Sequence, residues 1–330
     1  MGVSEQTAIE PLDGPAARAL AERILESLGR VIVGKEAELR LAVMALLCRG
    51  HLLIEDVPGE GKTMLARSIA RSLGGQFHRI QFTPDLLPSD ITGVSVFDQR
   101  TGGFTYREGP VMANVVLADE INRASPKTQA ALLECMEERQ VTVDGQTHPV
   151  PEPFLVLATQ NPIEYEGTFP LPETELDRFL VRVHLGYPTP ADEVAVLEAQ
   201  ARVHPITTLT PVVDAPALLG AAAAVREVHV SRAVADYIVA LTGATRAHPD
   251  LYLGASPRGS LALYRMGQAR ALLDGRSHVL PDDIKALVYP ALGHRVILSS
   301  AARIQGVSAA DALEGVLEQV PVPGAVPEGR

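Results

Sequence analysis

The chain has no tryptophan, and phenylalanine and tyrosine together bring its aromatic content to only 4%. Proteins that hold single-stranded nucleic acid stack bases on aromatic rings and follow the backbone with a basic groove. With few rings and a formal net charge of -11, both devices are disfavoured, and nucleic acid is not the expected partner. Cysteine is nearly missing as well. Cys48 and Cys135 provide no disulfide framework, and each lies in an apolar helical pattern, so both read as small core residues in a protein of a reducing compartment. No apolar run approaches the roughly 20 residues needed to span a bilayer. The acidic N-terminal stretch lacks the basic and apolar regions of a secretory signal. Met1-Gly2 opens a myristoylation pattern that fails at Gln6, where serine or threonine is required. The expectation is a cytoplasmic protein with no membrane insertion. The 9 histidines show no zinc-protease spacing and no Cys-x-x-Cys partner, and no G-x-S-x-G elbow occurs, which argues against zinc and serine hydrolases.

What is present is a chain of 330 residues, 46% hydrophobic and 21% charged, long enough for two globular domains. Its organising stretch is His-Leu-Leu-Ile-Glu-Asp-Val-Pro-Gly-Glu-Gly-Lys-Thr at 51–63. A short apolar run enters a Gly/Pro turn and an amphipathic segment at 62–73 leaves it, the strand, loop and helix order of a phosphate-binding loop. Glycines at 59 and 61 let backbone N–H groups approach phosphates, and the helix N-terminus adds partial positive charge. The spacing assigns Pro58, Gly59, Glu60, Gly61, Lys62, Thr63 and Met64 to the nucleotide, with Lys62 on the β- and γ-phosphates and the Thr63 hydroxyl on Mg2+. The usual pattern has glycine at position 56, where this chain has Asp56, a residue that tolerates turns.

Apolar periodicity predicts helices over 15–28 and 35–49, a strand over 77–81, and an irregular stretch over 84–93. Residues up to about Asp13 read as disordered. Two β-like pieces, 94–97 and 103–106, flank Thr101-Gly102-Gly103, and a second hairpin is expected at 140–150 around Asp144-Gly145. Runs at 115–118 and 154–159 are apolar on both faces, as central parallel strands are, with a helix at 127–138 between them and a last strand at 179–185. From Pro188 onward alanine-rich helical patterns take over, at 191–203, 215–225, 232–248, 259–273, 282–288 and 309–317, so a domain boundary is expected near 187–190. Strands alternating with helices predict an α/β body with a mostly parallel sheet covered on both sides.

Asp119-Glu120 closes the apolar strand 115–118. Ligands gather at the carboxyl ends of strands in an open parallel sheet, so this pair should lie beside the loop at 56–63. Asp119 is then the metal-holding carboxylate and Glu120 the group that orients and deprotonates water. Asn161 follows the next buried strand, where its amide can meet the lytic water or the γ-phosphate.

Together these pieces resemble the AAA+ ATPases, and more narrowly the MoxR family. Asp-Glu-Ile-Asn-Arg-Ala at 119–124, Ala-Thr-Gln-Asn-Pro at 158–162, Leu-Pro-Glu-Thr-Glu-Leu-Asp-Arg-Phe at 171–179 and Gly-Ala-Ser-Pro-Arg at 254–258 look like that family's blocks in the family's order, over roughly residues 16 to 300. The family is similar in using Asp or Gly at the place of Asp56. The resemblance implies a P-loop AAA+ α/β core over 16–188, a C-terminal all-helical lid over 189–330 and a flexible stretch over 1–15. It makes Asp119 and Glu120 the Walker B pair, Asn161 sensor 1, Arg178 an arginine finger that reaches a neighbour's γ-phosphate, and Arg258 the sensor 2 arginine of the lid, acting in cis or in trans. A guanidinium places a permanent forked charge on phosphate oxygens, which gives such arginines a physical rationale. Val33 and Gly34 resemble the adenine-contacting segment. The pieces at 94–106 and 139–150 resemble the helix 2 insertion and the pre-sensor 1 hairpin, where Arg139 could line a pore, and Arg123 is a further candidate for a contact between subunits.

The resemblance implies Mg2+-dependent ATP hydrolysis in a homo-oligomeric ring, expected to be a hexamer, that remodels or matures protein clients, in this family often with a partner carrying a von Willebrand factor A domain. Two other readings stay open on the sequence: a nucleotide-gated scaffold with little turnover, and a DNA-acting motor, against which the acidic balance counts.

Overall fold

A computed structural model describes residues 9–56, 61–100, 102–161 and 167–324. The strands in chain order are β1 (Leu52–Glu55), β2 (Phe77–Gln81), β3 (Gly93–Asp98), β4 (Gly103–Glu108), β5 (Val115–Asp119), β6 (Gln140–Val143), β7 (Gln146–Pro149), β8 (Leu155–Gln160), β9 (Val181–Val183), β10 (Leu251–Leu253) and β11 (Ile297–Leu298). The longer helices are α1 (Gly14–Gly29), α2 (Glu36–Leu47), α3 (Lys62–Ser72), then a short α4 (Pro88–Thr92), α5 (Pro126–Glu138), a single-turn α6 (Glu173–Leu176), α7 (Pro190–Gln200), α8 (Ala215–Glu227), α9 (Arg232–Ala247), α10 (Pro257–Leu273), α11 (Pro281–Leu292), a short α12 (Ser300–Ile304) and α13 (Ala309–Gln319).

Five parallel strands form the central sheet in the order β2-β5-β8-β1-β9. Their side chains alternate between two cores, as the two-residue period of a strand requires. Leu52 and Ile54, Val115 and Leu117, Leu155 and Leu157, and Val181 and Val183 enter one apolar cluster, while Leu53, Val116, Ala118, Val156 and Ala158 enter the other. The first cluster is built by α1, α2 and α3 and also by α8, α9, α10 and α11, so helices from both ends of the chain share one interior. The second is closed by α5, Phe82, Phe154 and Phe179.

Several expectations shift at their edges for local reasons. The stretch 84–93 contains α4, whose N-terminal amide at Leu87 is met by the Asp90 carboxylate at 2.9 Å, a turn too short to register as a periodicity. α11 continues through Pro290, beyond the stop that proline suggests. The last strand narrows to 181–183 because the chain on either side is held by other groups: Leu180 N–H donates to His51 O at 2.9 Å, and the Leu185 amide to Asp56. The helical C-terminal portion carries one small antiparallel ribbon of β10 and β11. At the N-terminus, Leu12 N–H donates to Gly220 O at 3.1 Å, so order begins ahead of Asp13. The two expected hairpins form: β3 with β4 and β6 with β7, both antiparallel.

Candidate functional site: a cleft at the sheet's carboxyl edge

β1 delivers its carboxyl end to Asp56, and α3 begins after Gly61, whose φ of 79° lies in the left-handed region that glycine occupies without strain. Pro58, Gly59 and Glu60 lie outside the described residues. Lys62 Nζ donates to the Asp56 carbonyl at 2.6 Å. Asp56 itself is 8% exposed, and its carboxylate accepts the Leu185 and Gly186 amides at 2.6 and 3.2 Å. At the place where a glycine is usual, the aspartate therefore ties the start of the phosphate loop to the chain leaving β9.

A cleft of about 560 Å³ opens here, and Gly61, Lys62, Thr63, Met64, Asp119, Glu120 and Asn161 all line it, together with Val33. Gly34 stands behind this wall: its φ is 73°, and a Cβ there would come within 2.2 Å of the Asp192 carboxylate on α7. Ile32, Pro188 and Val196 add apolar lining, and Gln200 and His204 polar lining.

The polar floor is built from three neighbouring strand ends. Gln81 and Asp119 are direct partners in the β2–β5 register. Asp119 Oδ1 accepts the Thr159 hydroxyl at 2.7 Å, and that hydroxyl in turn accepts the Glu120 N–H at 2.8 Å. Asp119 Oδ2 takes Arg79 Nε at 3.0 Å, and Gln81 donates from its side-chain amide to Glu120 Oε2 at 2.8 Å. Glu120 has φ 56° and ψ 50°, a left-handed conformation uncommon for a residue with a side chain and of the kind that collects at functional sites. Arg123 reaches back to Glu120 Oε2 at 3.0 Å.

Arg79, Gln81 and Thr159 were not singled out by the sequence. The available signal was the pair of polar residues at 79 and 81, two apart on one strand face, but only the strand order puts them beside Asp119. For Mg2+, the donor set fits: the Thr63 hydroxyl and the Asp119 carboxylate are hard oxygen ligands in one cleft, of the kind that Mg2+ shares with phosphates. Arg79 already supplies positive charge at that carboxylate.

Arg178 and Arg258 are not in this cleft. They meet at a second one of about 280 Å³, where Arg49, Arg139, Arg265 and Arg295 are further lining residues. Among the described residues, none lines both clefts. Arg178 bonds the Leu133 carbonyl at 2.9 Å and pairs with Glu137 at 3.2 Å; Arg258 bonds the other Glu137 oxygen. Arg139 faces this cleft rather than the tip of its hairpin and donates to the Arg49 carbonyl. Burial first, and the Arg49 charge next, push its guanidinium below the ordinary arginine range.

The family model of the ATPase family associated with various cellular activities (AAA) matches residues 51–181, and that of the AAA lid domain matches residues 243–316. Uncharacterized protein YeaC of Bacillus subtilis is 51% identical over 304 residues, covering 92% of this chain and 95% of that one. Chaperone MoxR1 of Mycobacterium tuberculosis is 40% identical over 93% of this chain and 84% of its own length, and Protein MoxR of Paracoccus denitrificans 34% identical over 91% and 95%. The crystal structure of a candidate ATPase from Cytophaga hutchinsonii superposes with a TM-score of 0.87 at 38% identity, covering 94% of this chain and 96% of that chain. A strand ending at Glu55 and a helix that opens with Lys62 and Thr63, the Asp119-Glu120 edge beside them, and this agreement along nearly the whole length lead to one assignment: the chain belongs to the MoxR family of AAA+ ATPases.

Proposed function

We propose that this ATPase uses Mg2+-ATP in the cleft between the sheet edge and α7, in a ring whose active sites are shared between subunits, and that turnover drives chaperone-like remodelling of client proteins. The observation that carries the reading is the separation of charge. Lys62, Thr63, Asp119, Glu120 and Asn161 line one cleft, while Arg178 and Arg258 gather at another, with no lining residue in common among the described residues. A finger arginine that cannot serve its own nucleotide has work to do only at a neighbour's, and closed rings give every copy a neighbour.

Within the cleft, Lys62 and the α3 N-terminus neutralise phosphate oxygens. Thr63 and Asp119 hold the metal, which supplies charge neutralisation on the phosphates when bound. Glu120 takes the proton of the attacking water; Gln81 and Arg123 set the direction of its carboxylate. Asn161, 7% exposed at the end of β8, orients that water or the terminal phosphate. Val33 and its apolar neighbours form the surface for the base. The client role draws on the relative named as a chaperone. The expectation of a partner with a von Willebrand factor A domain and of a six-membered ring rests on the family resemblance alone.

Mixing subunits tests the shared site. Lys62→Ala should abolish the ATP-dependent thermal stabilisation, which for wild type at a hundredfold excess of ligand over Kd is about 2.7 kcal/mol. Glu120→Gln should keep that stabilisation and lose turnover by roughly a hundredfold or more. Arg178→Ala should behave likewise, and mixed with Glu120→Gln subunits it should regain part of the activity. No recovery in the mixture would refute the shared site.

A further inference from the structure

The two candidate arginines sit on different portions of the chain, Arg178 after α6 and Arg258 in the first turn of α10, yet one buried group ties their backbones together. Arg295 follows α11 with a side chain only 3% exposed, and its Nε donates to Asp177 Oδ1 at 2.7 Å. Its other nitrogens donate to the carbonyls of Phe179 at 2.6 Å, of Asp177 and Leu180 at 3.2 Å, and of Ala291. The fork thus gathers the carbonyls of residues 177, 179 and 180, on either side of residue 178, and anchors them to the end of α11.

The second oxygen of Asp177 accepts the Ser256 hydroxyl at 2.6 Å, and the Ser256 oxygen accepts the Arg258 N–H at 3.0 Å as the N-cap of α10. The path closes on the outside through Glu137, which takes Arg178 on one oxygen and Arg258 on the other. Arg178 Nε is buried and has no hydrogen-bond partner among the described residues; the contacts of its guanidinium run through Nη1, to the Leu133 carbonyl and to Glu137.

We propose that Asp177 and Arg295, with Ser256, are positioning residues for phosphoryl chemistry: they fix Arg178 and Arg258 in one frame, so that both guanidiniums are presented together to the triphosphate of a neighbouring subunit. This rests on the reading that these arginines act in trans. A charge-paired fork in a dry interior is stiff, and reaction rates fall steeply when a catalytic charge moves by about an ångström. The function of the frame is to keep the lid's arginine and the body's arginine at a constant separation whenever α10 and α11 shift.

Ser256→Gly is the mild test, because glycine caps a helix nearly as well as serine while the bond to Asp177 is lost. Arg295→Lys keeps the buried charge and removes the fork. Turnover should fall about tenfold or more in each, with the nucleotide Kd and the thermal midpoint of Ser256→Gly within error of wild type. Because the defect lies in what a subunit offers its neighbour, mixing either variant with Lys62→Ala subunits, inactive themselves but carrying intact arginines, should restore turnover as far as the mixture of Arg178→Ala with Lys62→Ala does. If Arg178→Ala loses turnover while Ser256→Gly and Arg295→Lys keep it within twofold, the frame is not what positions the arginines and the inference fails. If Ser256→Gly weakens nucleotide binding and stability in step with turnover and is not rescued by mixing, its role is structural, and again the inference fails. If Arg178→Ala itself turns over like wild type, the trans reading falls and takes this inference with it.

Discussion

Asp56 and Thr159 illustrate how much a single polar side chain can organise. Asp56 gives both carboxylate oxygens to backbone amides at the exit of β9, and its own carbonyl receives Lys62. Asp56→Ala leaves two amides without partners in a buried place, which costs about 1–3 kcal/mol for each group so stranded. Urea unfolding should therefore show a loss of that order, and isothermal titration a weaker nucleotide Kd, because the loop loses its tether. Thr159 has one proton to give and gives it to Asp119, while accepting from the Glu120 amide. Thr159→Val preserves the shape and removes both bonds, so the two carboxylates lose their common reference; the expected result is a fall in kcat with little change in the nucleotide Kd, read by steady-state kinetics beside calorimetry. At this scale the sequence was informative where chemistry is local. Lys62, Thr63, Asp119, Glu120 and Asn161 announce themselves by position after apolar strands, and all reach one cleft. Arg79, Gln81 and Asp177 do not, because their partners stand 40, 39 and 118 residues away along the chain and only strand order and helix packing bring them together.

Among the elements, β1 is held at its start by a buried histidine. His51 Nδ1 accepts the Val156 N–H of β8 at 3.0 Å, and Nε2 donates to the Met136 carbonyl of α5 at 3.1 Å. The bond accepted at Nδ1 requires the neutral ring, and burial above all, with Arg139 second, pushes its pKa from 6.5 to about 3. In the unfolded chain the ring gains its proton below about 6.5, and in the folded chain not until about 3. The unfolded state thus binds more protons across that window, and stability falls as pH drops, by at most on the order of 1.4 kcal/mol per pH unit from this group. His294, also buried and also lowered, foremost by burial, adds to the loss with the same sign. Urea midpoints should decline from pH 7 to 5, and His51→Gln should flatten the decline; a midpoint independent of pH would contradict the neutral assignment. Leu157 of β8 is wholly buried in the core shared by both ends of the chain, so Leu157→Ala should cost about 2–5 kcal/mol in the same assay. β5 and β8 were legible because their runs are apolar on both faces, and so was the helix expected at 127–138, whose start Pro126 marks and which the Ser125 cap extends to 126. α6 and the β10–β11 ribbon were not, since four residues, or three against two, are too few for any period to show.

For the molecule as a whole, the boundary read near 187–190 separates patterns of secondary structure but not interiors. Leu20, Leu28 and Leu46 of the first helices lie in one cluster with Leu218, Leu241, Leu263 and Leu287. A chain ending at residue 188 would lay that surface open to water, and it should fail to give a cooperative melting transition, whereas the full chain should melt as one unit in calorimetry. The acidic total of -11 predicts in addition that duplex DNA is not retained at physiological salt.

α7 stands apart from this shared interior. It has no buried residue, yet Val196 and Gln200 form part of the wall around the nucleotide cleft, and its seat is the Thr189 cap and the close approach of Asp192 to Gly34. A helix so lightly fastened is a visor over that cleft. Trypsin should find the exposed Arg202 just behind it early in a digest, and filling the space beneath with ATP should lengthen the survival of the intact chain.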